Sequence, residues 1–248
     1  MSASGCVFFI SDAHLGQGSP ESNRARERDL LRFFDHVASK GGTLYVNGDL
    51  FDFWFEYGHA IPKRYVSVLN GLGDLRRRGI PVSYIGGNHD FWIGDYLCRE
   101  LDVAFTDGSL VLEIQGRRIF LAHGDGLGPG DQGYKLLKRL LRNRLARGLF
   151  RWIHPDIGIP IATAVSHTSR HHAPRPAQTD EDLHARLAAP WIRQGFDAVV
   201  LGHFHRPLHH ARDGKDFLIL GDWMERRTYA VLEGGTFRLL EFGNGAAG

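Results

Sequence analysis

Cysteine and methionine are almost absent from this chain of 248 residues, with two copies of each. Cys6 and Cys98 cannot build the disulfide framework of a small secreted domain, and a chain this long buries a sizeable core without such staples. Long hydrophobic runs are missing as well. No stretch approaches the roughly 20 apolar residues that cross a bilayer. The run from Cys6 to Ile10 follows an N-terminus without Lys or Arg and is too short for the apolar region of a signal peptide. Charge of one sign is also lacking, since 30 Lys and Arg face 28 Asp and Glu for a net of +2. So balanced a chain is not built to grip nucleic acid with its whole surface, and no nucleic-acid partner is expected. Ordinary apolar (43%) and charged (23%) fractions exclude collagenous, disordered and coiled-coil chains. The expectation is one soluble, cytoplasmic domain spanning residues 1–248. What the chain does have in quantity is histidine, with 14 copies.

Short apolar runs recur, each ending in Gly, Asp, Asn or His: 7–10 before Asp12, 43–46 before Asn47-Gly48-Asp49, 82–85 before Gly86-Gly87-Asn88-His89-Asp90, 119–122 before His123-Gly124-Asp125, and 198–201 before Gly202-His203-Phe204-His205. Runs of this length read as strands buried on both faces. Leu30, Leu31, Phe34 and Val37, like Val66, Leu69, Leu72 and Leu75, repeat at helical spacing, and Gly41 and Gly79 follow as stop signals. Strand–helix alternation predicts a layered α/β fold, with the polar clusters at the C-terminal ends of strands, where open α/β sheets place their ligands. From Phe217 the chain turns to strands, with Gly234-Gly235 as a hairpin turn, predicting a second, partly antiparallel sheet.

The strand-end clusters carry Asp12, His14, Asp49, Asn88, His123, His203 and His205: oxygen and nitrogen donors without a thiolate. Carboxylate plus imidazole suits Mn, Fe, Co or Zn better than Ca or Mg. Asp49, between the two outer groups, is the candidate bridge between two ions. Two such ions roughly 3.5–4 Å apart clamp a phosphate ester and acidify a shared water.

Asp12-Ala13-His14, Gly48-Asp49, Gly87-Asn88-His89-Asp90, His123-Gly124-Asp125 and Gly202-His203-Phe204-His205 resemble, in order, the motifs of calcineurin-like metallophosphoesterases, over residues 7–223. The resemblance implies a four-layered α/β/β/α sandwich with two divalent ions, Mn foremost and Fe, Co or Zn as the other candidates. Asp12, His14, Asp49 and His205 would hold the first ion; Asp49, Asn88, His123 and His203 would hold the second. His89 would be the catalytic cation or acid meeting the phosphate or leaving group. Residues 48–54, 88–91, His123-Gly124-Asp125-Gly126 with Asp131 and Tyr134, and Leu220-Gly221-Asp222-Trp223 further resemble UDP-2,3-diacylglucosamine hydrolases. Those enzymes release UMP and 2,3-diacylglucosamine 1-phosphate in lipid A synthesis, water attacking the phosphorus next to uridine. Their best-known members carry arginine where this chain has His89.

Between His123 and His203 there is room for a helical insertion at about 132–175. Residues 132–155 contain no acid and interleave Lys135, Lys138, Arg139, Arg142, Arg144, Arg147 and Arg151 with leucines, Phe150 and Trp152. Such a basic amphipathic helix either lies on an anionic membrane surface or covers a lipid groove, or is an ordinary solvated helix. Under the lipid A resemblance it forms a lid over acyl chains. Asp131, Tyr134, Ser169 and Arg170 then become the substrate contacts; Asp131 alternatively caps a helix. The expected partners are a lipid nucleotide-sugar and the cytoplasmic face of a membrane, contacted peripherally, with no protein partner. Two other readings keep the fold: a general phosphodiesterase, nucleotide pyrophosphatase or phosphatase, and a non-enzymatic scaffold.

Overall fold

The computed structural model describes residues 5–127, 139–140, 142–170 and 179–243. Its first sheet runs in the order β11-β10-β1-β2-β3-β4, with β1 (Val7–Ile10), β2 (Thr43–Asn47), β3 (Val82–Ile85) and β4 (Ala104–Thr106) parallel, and β10 (Thr228–Glu233) and β11 (Thr236–Glu241) antiparallel beside β1. The second runs β5-β6-β7-β9-β8, from β5 (Ser109–Ile114), β6 (Arg117–Ala122), β7 (Ala198–Leu201), β8 (Leu208–Arg212) and β9 (Lys215–Ile219). Within it β6, β7 and β9 are parallel, and β5 and β8 pair antiparallel at the edges.

Both sheets obey the two-residue period of a strand. In β1, Val7 and Phe9 face the other sheet while Phe8 and Ile10 face helices. In β7, Ala198 and Val200 face inward, and Val199 and Leu201 face outward. The outer face of the first sheet is covered by α1 (Pro20–Lys40), α2 (Val66–Arg77) and α3 (Tyr96–Leu101). The outer face of the second is covered by α6 (Asp180–Leu183), a π-helical turn at His184–Ala188 and α7 (Ala189–Ile192). The layers are therefore α/β/β/α, as the resemblance implied.

Helix α1 has clear local causes. Ser19 accepts the Ser22 amide at 3.2 Å as N-cap, Pro20 opens the first turn, and Gly41 (φ 65°) closes the helix. Leu30, Phe33, Phe34 and Val37 form its buried stripe. Between β6 and β7, α4 (Arg144–Phe150) and α5 (Pro155–Arg170) are helical, and α4 starts at its Asn143 cap; residues 132–138 of the expected basic helix lie outside the described residues. Phe150, Ile159 and Ala162 pack on a separate aromatic cluster of Phe53, Phe55, Phe91 and Trp92.

The C-terminal strands do not form one closing sheet. β9 joins the second sheet, whereas the β10–β11 hairpin extends the first, pairing Val7 with Leu232 and Phe9 with Ala230. Burial of β10 on both faces suits a position beside β1, whose edge would otherwise be open. Within the second sheet, Asp216 of β9 accepts from Nη2 of Arg117 in β6 at 2.5 Å and pairs with Nε2 of His209 in β8 at 2.7 Å. Burial opposes its charge, but these hydrogen bonds outweigh burial and hold the carboxyl below the ordinary carboxylate range.

Asp216→Asn should cost about 2 kcal/mol at neutral pH. Because the folded carboxyl is the stronger acid, its contribution is complete above the unfolded value and fades as pH falls through the folded one. Denaturant unfolding of both proteins should show a constant gap from pH 7 to 5 that closes below about pH 4. A gap that persists in acid would contradict the assignment.

Candidate metal centre

Five strand ends deliver the site. β1 leads into Asp12 and His14, β2 into Asp49, β3 into Asn88 and His89, β6 into His123, and β7 into His203 and His205. Asp12, His14, Asp49, His203 and His205 all sit in left-handed backbone, with φ between 42° and 68°. Each such non-glycine residue costs on the order of 1–3 kcal/mol, tolerated where the surroundings impose it. Here the imposing contacts are visible: the amides of Asp12 and His14 donate to the carbonyls of Gly48 (3.1 Å) and Asp49 (2.9 Å), and Gly202 N–H donates to His123 O at 2.8 Å.

The two carboxylates divide their oxygens. Asp12 Oδ2 accepts the His203 amide at 2.8 Å and the Ser11 hydroxyl at 2.5 Å, while Asp49 Oδ1 accepts the His89 amide at 2.9 Å. The opposite oxygens face imidazoles. Asp12 Oδ1 lies 3.2 Å from His205 Nε2 and 3.7 Å from His14 Nε2. Asp49 Oδ2 lies 3.2 Å from His123 Nε2, 3.7 Å from His14 Nε2 and 3.8 Å from His89 Nε2. Asn88 Oδ1 is 3.1 Å from His123 Nε2 and 2.8 Å from His203 Nδ1. Three ligand groups result: Asp12, His14 and His205; His14, Asp49 and His89; Asp49, His123 and His203.

The electrostatics express the same convergence. Burial resists ionisation of Asp12 and Asp49, yet the surrounding imidazoles win and hold both carboxyls well below the usual range. Burial also resists a charge on His123, but Asp49 beside it drives its pKa well above the histidine value. His205 rises against burial through Asp12. His203 is pushed down to about 4 by burial and by the charge on His123. Asp90, behind the site, is pushed up to about 6 by burial and by Asp49.

These donors fit divalent cations. His123 donates Nδ1–H to the Asn47 carbonyl at 2.8 Å, which turns Nε2 toward Asp49 Oδ2 and Asn88 Oδ1. His14 and His205 bring Nε2 atoms to 3.1 Å, and the buried Asp12 Oδ1 accepts no regular hydrogen bond. Atoms that are all acceptors in their metal-ready forms are thus crowded into one place, and Asp49 Oδ2 stands between two such groups. The clusters are consistent with a two-metal site.

The structure brings all seven expected donors and His89 together. His89 donates Nδ1–H to the Asp52 carbonyl at 3.2 Å, so its Nε2 faces the site. Asp131 and Tyr134 lie outside the described residues, and for Ser169 and Arg170, in the last turn of α5, only the backbone is described. The carboxylate of Asp222 accepts the Glu225 amide at 2.7 Å and so braces its own loop. Sequence reasoning missed Arg26, a buried α1 residue whose guanidinium donates to the carbonyls of Ala13 (3.0 Å) and His14 (2.8 Å). A lone arginine on an otherwise polar helical turn gives no signal of such a role.

The family described as calcineurin-like phosphoesterase matches residues 7–207. The chain is similar to proteins named UDP-2,3-diacylglucosamine hydrolase: 31% identical to that of Porphyromonas gingivalis over 94% of this chain and 96% of the relative, and 31% identical to that of Aeromonas salmonicida over 94% and 92%. Among solved structures, the phosphoesterase Yfce from E. coli superposes with a TM-score of 0.49 at 16% identity, over 96% of this chain and 93% of that one.

Gly87 offers a test of the packing. A Cβ there would stand 2.1 Å from Asp49 Oδ1 and 2.6 Å from the Asp49 amide. Gly87→Ala should therefore displace Asp49 and lower the bound metal per chain, measured by elemental analysis after dialysis against Mn, with circular dichroism retained. Full metal content in the variant would refute the arrangement.

Proposed function

The chain belongs to the calcineurin-like phosphoesterase family, and on that premise we propose that it is a metal-dependent hydrolase of UDP-2,3-diacylglucosamine, releasing UMP and 2,3-diacylglucosamine 1-phosphate. The observation that carries the chemistry is the position of Asp49 Oδ2, within 3.7 Å of both His14 Nε2 and His123 Nε2. In this reading Asp12, His14, Asp49 and His205 hold one ion, and Asp49, Asn88, His123 and His203 hold the other. When bound, divalent cations supply Lewis-acid charge at a phosphoryl group and acidify water; Mn is the proposed metal.

The protein's own side chains do the rest. Asp49 spaces the two ligand groups, its second oxygen tied to the His89 amide so that the carboxylate cannot rotate. His89, fixed through Nδ1, presents Nε2 to the phosphoryl oxygens and, when protonated, neutralises charge that builds there. The bond broken is that between the phosphorus next to uridine and the bridging oxygen. Water contributes the new oxygen of UMP, and the bridging oxygen leaves with the lipid phosphate.

The lipid half of the reading is supported by the relatives' names and by the segment between β6 and β7. Phe150 packs inward against Phe55 and Trp92 with ring centroids 4.7 and 5.0 Å apart. The same segment also leaves apolar side chains exposed: Leu145, Leu149, Ile157 and Ile161, with Trp152 90% exposed. Arg151, next to Trp152 in the chain, is exposed too. No described helix is long and apolar enough to cross a membrane. The proposed role of this face is peripheral contact with an anionic bilayer. Ser169 and Arg170 at the end of α5, with Asp131 and Tyr134, are proposed to meet the substrate.

Incubation with UDP-2,3-diacylglucosamine and Mn should release UMP, and excess chelator should abolish it. Release of UMP no faster than that of an aryl phosphate from a simple diester would replace this substrate with a general phosphodiester. Co-sedimentation with phosphatidylglycerol vesicles should exceed that with phosphatidylcholine and fall at least fivefold in a Leu149→Ser, Trp152→Ser double variant. Equal sedimentation of variant and parent would remove the membrane face.

A further inference from the structure

Arg142 immediately precedes the Asn143 cap of α4, and its guanidinium is held on three sides. Nη1 pairs with the carboxylate of Asp107, just past β4. Nη2 donates to the carbonyl of Gly87 at 3.1 Å. The guanidinium carbon lies 5.0 Å from the ring centre of Phe91. The Arg142 side chain is 17% exposed, so this is an inserted contact and not a solvated charge.

Gly87 is where such a contact has leverage. Its carbonyl belongs to the same planar peptide as the Asn88 amide. Two glycines, Gly86 and Gly87, lead into Asn88, so local sterics leave the orientation of that peptide open. The following residues are the ones that matter: Asn88 Oδ1 meets His123 and His203, and the His89 amide is tied to Asp49. The Gly87 amide is anchored from inside by Asp90 Oδ1 at 2.8 Å. Arg142 supplies the anchor on the outer side, and it comes from the segment that also packs on the aromatic cluster.

We propose that Arg142 is a positioning residue: by holding the Gly87–Asn88 peptide, it makes alignment of Asn88 and His89 depend on the β6–β7 segment being seated on the core. The inference rests on the reading of Asn88 and His89 as site residues, and it does not require that the substrate be the lipid nucleotide.

The test uses Arg142→Lys, which keeps the charge but cannot bridge Asp107 and Gly87 together, and Asp107→Asn, which leaves the arginine but removes its carboxylate partner. Steady-state kinetics are measured on UDP-2,3-diacylglucosamine and on bis(4-nitrophenyl) phosphate. The Co(II)-loaded absorption spectrum and, in metal-free protein, hydrogen exchange over residues 86–91 are recorded alongside. Expected for Arg142→Lys are a tenfold or greater loss of kcat on both substrates, less than threefold change in KM, an altered Co(II) spectrum and faster exchange. Asp107→Asn should shift each in the same direction, and it decides the matter if Arg142→Lys does not fold. Unchanged kcat and spectrum in both variants overturn the proposal. So does a rise in KM confined to the lipid substrate with the Co(II) spectrum unchanged, which would make Arg142 a direct substrate contact. If the parent protein cleaves only the aryl diester, the substrate reading fails while the diester kinetics, spectrum and exchange still decide the role of Arg142.

Discussion

The structure depends on two buried carboxylates that each serve two masters. Asp12 and Asp49 give one oxygen to a backbone amide of another loop and leave the other oxygen to imidazoles. The first kind of contact is structural, since it welds the loop after β1 to the loop after β7, and the loop after β2 to the loop after β3. The second kind is electrostatic and creates the demand for positive charge at the centre. A buried carboxylate without either would be prohibitively costly. With both, its charge becomes the reason five separate strand ends meet at one point.

That meeting is achieved against local preference. Left-handed backbone at five of the donors, and a Gly87 that no larger residue could replace without striking Asp49, mean that the loops are held by their neighbours and not by their own propensities. The sheets on either side supply the restraint. β1, β2, β6 and β7 are buried along their C-terminal halves on both faces, so their ends cannot drift. Rigidity in the layers is what lets strain persist in the loops.

The chain announces much of this before it folds. Val7–Ile10 and Ala198–Leu201 are apolar at every position because both faces of each strand are covered, and the donors that follow them are legible because few structural needs put Asp-x-His or His-x-His after a buried strand. Less legible is anything set by partners far away in sequence. β10 reads equally well as part of either sheet until its pairing with β1 is seen. β5 alternates exposed and half-buried residues, so its Leu110-Val111-Leu112 is not a run buried on both faces, and β8 is mostly polar. The bracing of His14 by Arg26, and of Gly87 by Arg142, is carried by single arginines whose surroundings are fixed only by tertiary packing.

The pairing of β1 with β10 has a consequence for how the molecule comes to exist. The strand that leads into Asp12 and His14 is flanked on one side by residues more than 200 positions later, and the Trp223 amide that donates to the Asp12 carbonyl at 3.1 Å belongs to that same late stretch. During synthesis, the first-made half of the donor set must wait, one edge bare, until Thr228–Glu233 has left the ribosome. Folding of this kind pays its loop-closure entropy at the end. A product that stops short of β10 therefore leaves the cage for cations without its flank.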